Sequence, residues 1–252
     1  MAGGLAATGL IPIVTTFAVF ALRGLEQARL SIAYPKRNVK IVASHPGLDV
    51  GPDGASAQCL EDLAAFRAIP GMTVLSAADP IEAGKAAQTI VDFEGPIYLR
   101  TGRSPAPTVY GDDHKMVVGK GDVLVDGNDV TLIACGVEVA RAVEAAHLLK
   151  DEGISARVVN MASIKPIDAA LIERCAIETG AVVTAEDHNV HGGLGGAVAE
   201  ALAASHPCPQ EFVAVMDRFG KSGEADELAE HFQLTAPYIA QAAKRAIARK
   251  KG

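Results

Sequence analysis

The chain reads as an α/β protein built from two parallel-sheet α/β units, and three observations predict this. Short β-branched runs alternate with amphipathic helical stretches through short connections, the pattern of parallel strands joined by right-handed crossovers. The 252 residues are 49% hydrophobic and 21% charged with no Trp, which suits a globular α/β chain rich in Ala, Val and Gly. The stretch from Ser104 to Lys120 is rich in Pro, Gly and Asp and carries no helical period. It divides the alternation into a first unit over 1–103, a linker over 104–120 and a second unit over 121–252.

The first unit opens with a helical stretch from Ala2 to Thr8, which Gly9 stops. Ile11 to Thr16 is β-branched and suits a buried strand, with Phe17 and Phe20 at the turn into a helix that runs to about Ile32. A strand over 39–43 follows Pro35. A helix near Leu60 to Ala68, a strand over 72–76, a helix over 81–91 capped at Asp79 or its neighbour and a strand over 96–99 complete the unit. In the second unit Lys120 to Val130 reads as a hairpin turning at Asp126-Gly127-Asn128. Strands over 130–135, 157–161, 181–185 and 212–216 then alternate with helices over 137–151, 167–179 and 197–205. Two closing helices cover 225–232 and 236–247.

Composition excludes several function classes. A net charge of −7 and a pI near 5.5 lack the positive footprint of a nucleic-acid or membrane-surface protein. No stretch reaches the ~18 uninterrupted apolar residues of a spanning helix. Cys59, Cys135, Cys175 and Cys208 show neither zinc nor disulfide spacing, as expected of small hydrophobes in a reducing cytoplasm. In the glycine run 192–196, Gly193-Leu194-Gly195 lacks the third glycine of a dinucleotide fingerprint, because position 198 is Val. His188 and His191 beside Glu186 and Asp187 have no second ligand pair, so they read as loop hydrogen-bonding residues.

The chain's chemistry concentrates in ASHPGLDVGPDGASAQCLED, residues 43–62. This loop leaves the carboxyl end of a strand, where open α/β sheets place ligands. It holds His45, Asp49, Asp53, Ser56 and Gln58 on backbone loosened by Gly47, Gly51 and Gly54. Arg100 and Arg103 leave a neighbouring strand, with guanidinium forks suited to phosphate or carboxylate.

Seven stretches match one family in order: IPIVTTFAVF, SIAYP with NVKIVASHPG, VGPDGASAQCLEDLAAFRAIPGMTVLSAAD, GPIYLRTGR, VVNMASIKPID, VVTAEDHNVHGGLG and DRFGKSGE. Across essentially its whole length the chain resembles the carboxyl-terminal half of transketolases, above all the form encoded as two subunits. The resemblance implies a thiamine diphosphate pyrimidine-binding domain over 1–103, lacking its first strands, and a transketolase C-terminal domain over 121–252. It implies transfer of a two-carbon ketol unit between sugar phosphates. Phe17 and Phe20 would line the aminopyrimidine pocket, and His45 would meet the reacting hydroxyl and carbonyl. Asp53 would bind a sugar hydroxyl, while Arg103, and less directly Arg100, would bind the phosphate. The diphosphate and its Mg²⁺ would lie on a partner N-terminal subunit, so no metal is expected on this chain.

The chain departs from the family pattern in three places. The glutamate that activates the cofactor falls just upstream of the segment beginning at Met1, so activity is expected to need further chain, and an open sheet edge would promote self-association. Ala57 stands where the family has a second histidine, with Pro52 in place of a glutamate. Arg23 occupies the place of a third pocket aromatic. Two other readings stay open: a deoxyxylulose phosphate synthase-like or other thiamine-dependent transferase subunit, and a non-catalytic assembly or regulatory subunit.

Overall fold

The computed structural model describes residues 1–250. Its elements follow the expected alternation. Helix α1 (Ala2–Ala6) precedes strand β1 (Ile13–Phe17), and Ala18 to Ala33 is helical throughout without being one helix. Helix α2 (Ala18–Ala21) passes through a 3₁₀ turn at Leu22–Gly24 into α3 (Leu25–Ala28), then a π segment at Arg29–Ala33. Gly24 sits off helical geometry at φ −98° and ψ 12°, which separates the two α segments. The first unit continues with β2 (Lys40–Ser44), a 3₁₀ stretch (Leu48–Asp53), α4 (Asp62–Ala68), β3 (Thr73–Ser76), α5 (Pro80–Asp92) and β4 (Ile97–Arg100). Asp79 caps α5 by accepting the Glu82 N–H at 2.7 Å.

The second unit holds β5 (Asp122–Val125), β6 (Val130–Ala134), α6 (Glu138–Asp151), β7 (Ala156–Asn160), β8 (Ser163–Lys165), α7 (Ala169–Thr179) and β9 (Val182–Asn189). It ends with α8 (Leu194–Ala204), β10 (Gln210–Val215), α9 (Ala225–His231) and α10 (Ala236–Arg249). The two sheets have strand orders β1-β2-β4-β3-β8 and β10-β9-β6-β7-β5. All pairs are parallel except the edge strands β8 and β5. No helix among the described residues is long and apolar enough to cross a membrane.

Three sequence expectations are corrected. The segment 120–130 is not a hairpin: β5 and β6 lie on opposite sides of β7. The intervening turn steps over the start of β7, where a Cβ on Gly127 would meet the Ala156 carbonyl carbon at 2.4 Å. Asp126 binds the Arg157 guanidinium there and Asp129 accepts the Ser155 N–H, so local turn chemistry serves a crossing. Secondly, Glu186 to Asn189 extends β9 instead of forming a loop. Thirdly, the strand expected to be buried over Ile11 to Thr16 lies at a sheet edge with Ile13 exposed; β8, which no local pattern announces, leaves the second unit and pairs antiparallel with β3, sewing the sheets together. The units also share one core cluster, in which Ala18, Val39 and Phe66 join Ile133, Met161 and Leu194.

Candidate active site

Parallel register places the first two aromatic groups. Phe17 ends β1 opposite Ser44 at the end of β2, so the residue after β2, His45, emerges beside Phe17. The two rings stack at 3.7 Å between centroids with planes 12° apart. Phe20, on α2, lies nearly parallel to Phe17 at 5.7 Å and leaves 51% of its surface exposed. His45 adopts a left-handed φ of 56°, uncommon outside glycine, and its Nδ1 lies 2.9 Å from Ser44 Oγ.

Beyond His45 the loop is held from the second unit. The Asp187 carboxylate, buried on β9, accepts the N–H groups of Leu48 at 2.8 Å and Asp49 at 3.1 Å. Gly47 lies so close that a Cβ there would fall 2.1 Å from Asp187 Oδ2, and its φ is +67°. Asp49 relays the constraint, because its Oδ2 accepts the N–H groups of Arg103 at 2.8 Å and Ser104 at 3.0 Å. Gln58 donates to the carbonyls of Gly51 and Lys221, which docks the loop on the DRFGKSGE stretch.

These contacts gather Phe17, Phe20, His45, Asp53 and Arg103 at the carboxyl ends of β1, β2 and β4. Asp53 and Arg103 are exposed and both act on the imidazole. Burial lowers the His45 pKa below its ordinary 6.5 and the Arg103 guanidinium lowers it further, opposed by Asp53 and Asp49. Both effects favour the neutral imidazole.

Arg100 sits differently. It is buried, with Nε 3.0 Å from Asp62 Oδ2 and Nη2 donating to the Asp187 carbonyl at 2.7 Å. Tyr98 donates its hydroxyl to the same Asp62 oxygen at 2.7 Å. Of the two arginines suggested by the sequence, only Arg103 opens to solvent. The glycine run is also accounted for: the N-terminus of α8 is filled by the Glu186 carboxylate, which accepts the N–H groups of Leu194 and Gly195. His188 is buried and lies 2.6 Å through Nδ1 from the Asn189 carbonyl oxygen.

Sequence reasoning missed Ser44 and Asp187 as positioning groups and gave Asp49 and Gln58 no role. The one available signal was the glycine spacing, since Gly47, Gly51 and Gly54 all take positive φ beside second-unit atoms.

Comparison with known proteins agrees with this architecture. Residues 1–108 match the family model of the transketolase pyrimidine binding domain, and residues 119–239 that of the transketolase C-terminal domain. The chain is 45% identical over 245 residues to a putative transketolase C-terminal section from Methanocaldococcus jannaschii, covering 96% of this chain and 77% of that protein. It is 42% identical to the 6-deoxy-6-sulfo-D-fructose transketolase subunit SqwH from Clostridium sp. (strain MSTE9), covering 99% of this chain and 78% of the relative. Among solved structures, a split gene transketolase described as an inactive beta4 tetramer superposes with a TM-score of 0.94 at 48% identity, covering 99% of this chain and 80% of that one. The chain belongs to the transketolase family, and carries its pyrimidine-binding and C-terminal domains.

Proposed function

We propose that this chain is the C-terminal subunit of a two-chain transketolase that moves a two-carbon ketol unit between sugar phosphates. The observation that carries the reading is the Phe17–His45 stack, with Phe20 open beside it and Asp53 and Arg103 acting on the same imidazole. The parallel rings of Phe17 and Phe20 fit a flat heteroaromatic group such as the aminopyrimidine of thiamine diphosphate. When bound, that cofactor supplies the carbanion chemistry. The work of this chain is orientation and proton handling. His45 presents Nε2 to a sugar hydroxyl or carbonyl, because Nδ1 faces Ser44. Asp53 accepts a hydroxyl of the sugar, and Arg103 binds its anionic end as a fork.

In this reading the diphosphate and Mg²⁺ are held by a partner N-terminal subunit. Strand β1 forms a sheet edge, with Ile13 on it and Leu10 and Ile11 before it exposed. Calorimetric titration tests the division of labour. Thiamine diphosphate should bind the two-chain complex and show no micromolar binding to this chain alone; tight binding to the isolated chain would contradict the proposal.

Two further expectations follow from the loop. Arg103→Ala removes the cation that lowers the His45 pKa, so the imidazolium persists to higher pH and the acid limb of kcat/KM should move upward. A pH profile that does not move would separate Arg103 from His45. At position 57, half-buried and directly after the Gly54 turn, a histidine would restore a hydrogen-bonding group at the place the family pattern gives one. Ala57→His should therefore raise turnover on xylulose 5-phosphate and ribose 5-phosphate, within the ~10²–10⁴-fold range of a general acid–base group. Equal turnover of the two forms would remove position 57 from the substrate site.

A further inference from the structure

A second polar cluster lies away from the aromatic stack, where 104–120 packs between the two units. Glu82 comes from α5, His114 from the segment itself and Asp122 from β5, and one donor atom of each lies within 4.8 Å of the others. His114 Nε2 is 3.5 Å from Glu82 Oε1, its side chain is 7% exposed, and Nε2 has no hydrogen-bond partner. Tyr110 stacks on the His114 ring at 3.6 Å and donates its hydroxyl to Asp122 Oδ2 at 3.0 Å. Asn160, buried on β7, donates Nδ2 to Glu82 Oε1 at 2.9 Å and to Tyr110 Oη at 2.8 Å, while its Oδ1 is unpartnered. Turning that amide over would bring Oδ1 towards the same point.

The charges do not balance. Among the described residues neither Glu82 nor Asp122 forms an ion pair with a lysine or arginine. A buried acidic group without a countercharge is costly, and a buried imidazole nitrogen without a partner adds to that cost. A cation placed among the three side chains answers both.

We propose that Glu82, His114 and Asp122 form a zinc-class divalent cation site that clamps the 104–120 segment to both units. Two carboxylates and one imidazole are a donor set that suits Zn²⁺, with a fourth position left for water or Asn160 Oδ1. The site is built from different residues than the aromatic stack, so it stands or falls independently of the transketolase reading.

The test uses the full chain, dialysed against chelator and titrated with Zn²⁺ in competition with a chromophoric chelator. One equivalent should bind with a Kd below about 10 µM, and His114→Gln and Asp122→Asn should each weaken it by about 10-fold or more. Hydrogen exchange on the unmutated chain gives a second readout that does not depend on the variants folding. Zinc should slow exchange of the Val109 and Tyr110 amides, which Asp79 accepts at 2.8 Å and 3.0 Å beside the site. Zinc binding weaker than stated, equal binding by both folded variants, or unchanged exchange at 109–110 would each overturn the proposal.

Discussion

His45→Asn should lower kcat of the two-chain complex by about 10²–10⁴-fold, the usual loss when a positioned acid–base group is removed. Asparagine suits the test because it tolerates the left-handed φ of 56° that His45 adopts. The loop, held by Asp187 through Leu48 and Asp49, keeps its anchors in the variant. Stability should therefore stay close to that of the parent while the rate falls. KM should change less than kcat if the imidazole acts mainly in the transition state. A variant within about threefold of the parent, against that expected range, would remove His45 from the chemistry.

Asp62→Ala should destabilise the chain by about 3–5 kcal/mol, because removing one partner of a buried ion pair leaves the other charge uncompensated. The charge left behind is Arg100, 3% exposed and held in place by the Asp187 carbonyl. The Tyr98 hydroxyl loses its acceptor in the same substitution. Urea unfolding measures the loss as a fall in midpoint at constant slope. A companion variant with both Asp62 and Arg100 made apolar should recover part of it, since replacing a whole buried pair is often close to neutral. A loss below about 1 kcal/mol, the scale of an exposed pair, would mean that Arg100 is hydrated and free to meet a ligand.

The contrast between Arg100 and Arg103 shows what a sequence can and cannot disclose. The spacing GPIYLRTGR placed both at a strand end, and that placement is correct. Which of them faces inward depends on Asp62 on α4 and Asp187 on β9, two distant elements that nothing local identifies. The alternation of strands and helices was legible because burial periodicity is local, and so was Asp79 as the cap of α5. The 120–130 segment misled because Asp-Gly-Asn suits a hairpin and a step across a neighbouring strand equally well. β8 escaped notice for a different reason: three residues carry no periodicity, and its partner β3 lies in the other unit. For the proposed site, the choice of Phe17, Phe20, His45, Asp53 and Arg103 rests on strand ends and family resemblance. The groups that hold them, Asp187 above all, come from the second unit and became visible only in three dimensions.

The central claim is that the aromatic stack and its charged neighbours belong to a ketol-transfer site completed by a second chain. Its most direct test mixes this chain with the diphosphate-binding subunit of a split transketolase, thiamine diphosphate, Mg²⁺, a ketose phosphate donor and an aldose phosphate acceptor. Mass spectrometry of the sugars then reads the movement of a two-carbon unit. The account predicts transfer that requires both chains and the cofactor and collapses with His45→Asn. A stable, cofactor-loaded complex that transfers nothing, or one that transfers equally well with His45→Asn, would contradict it.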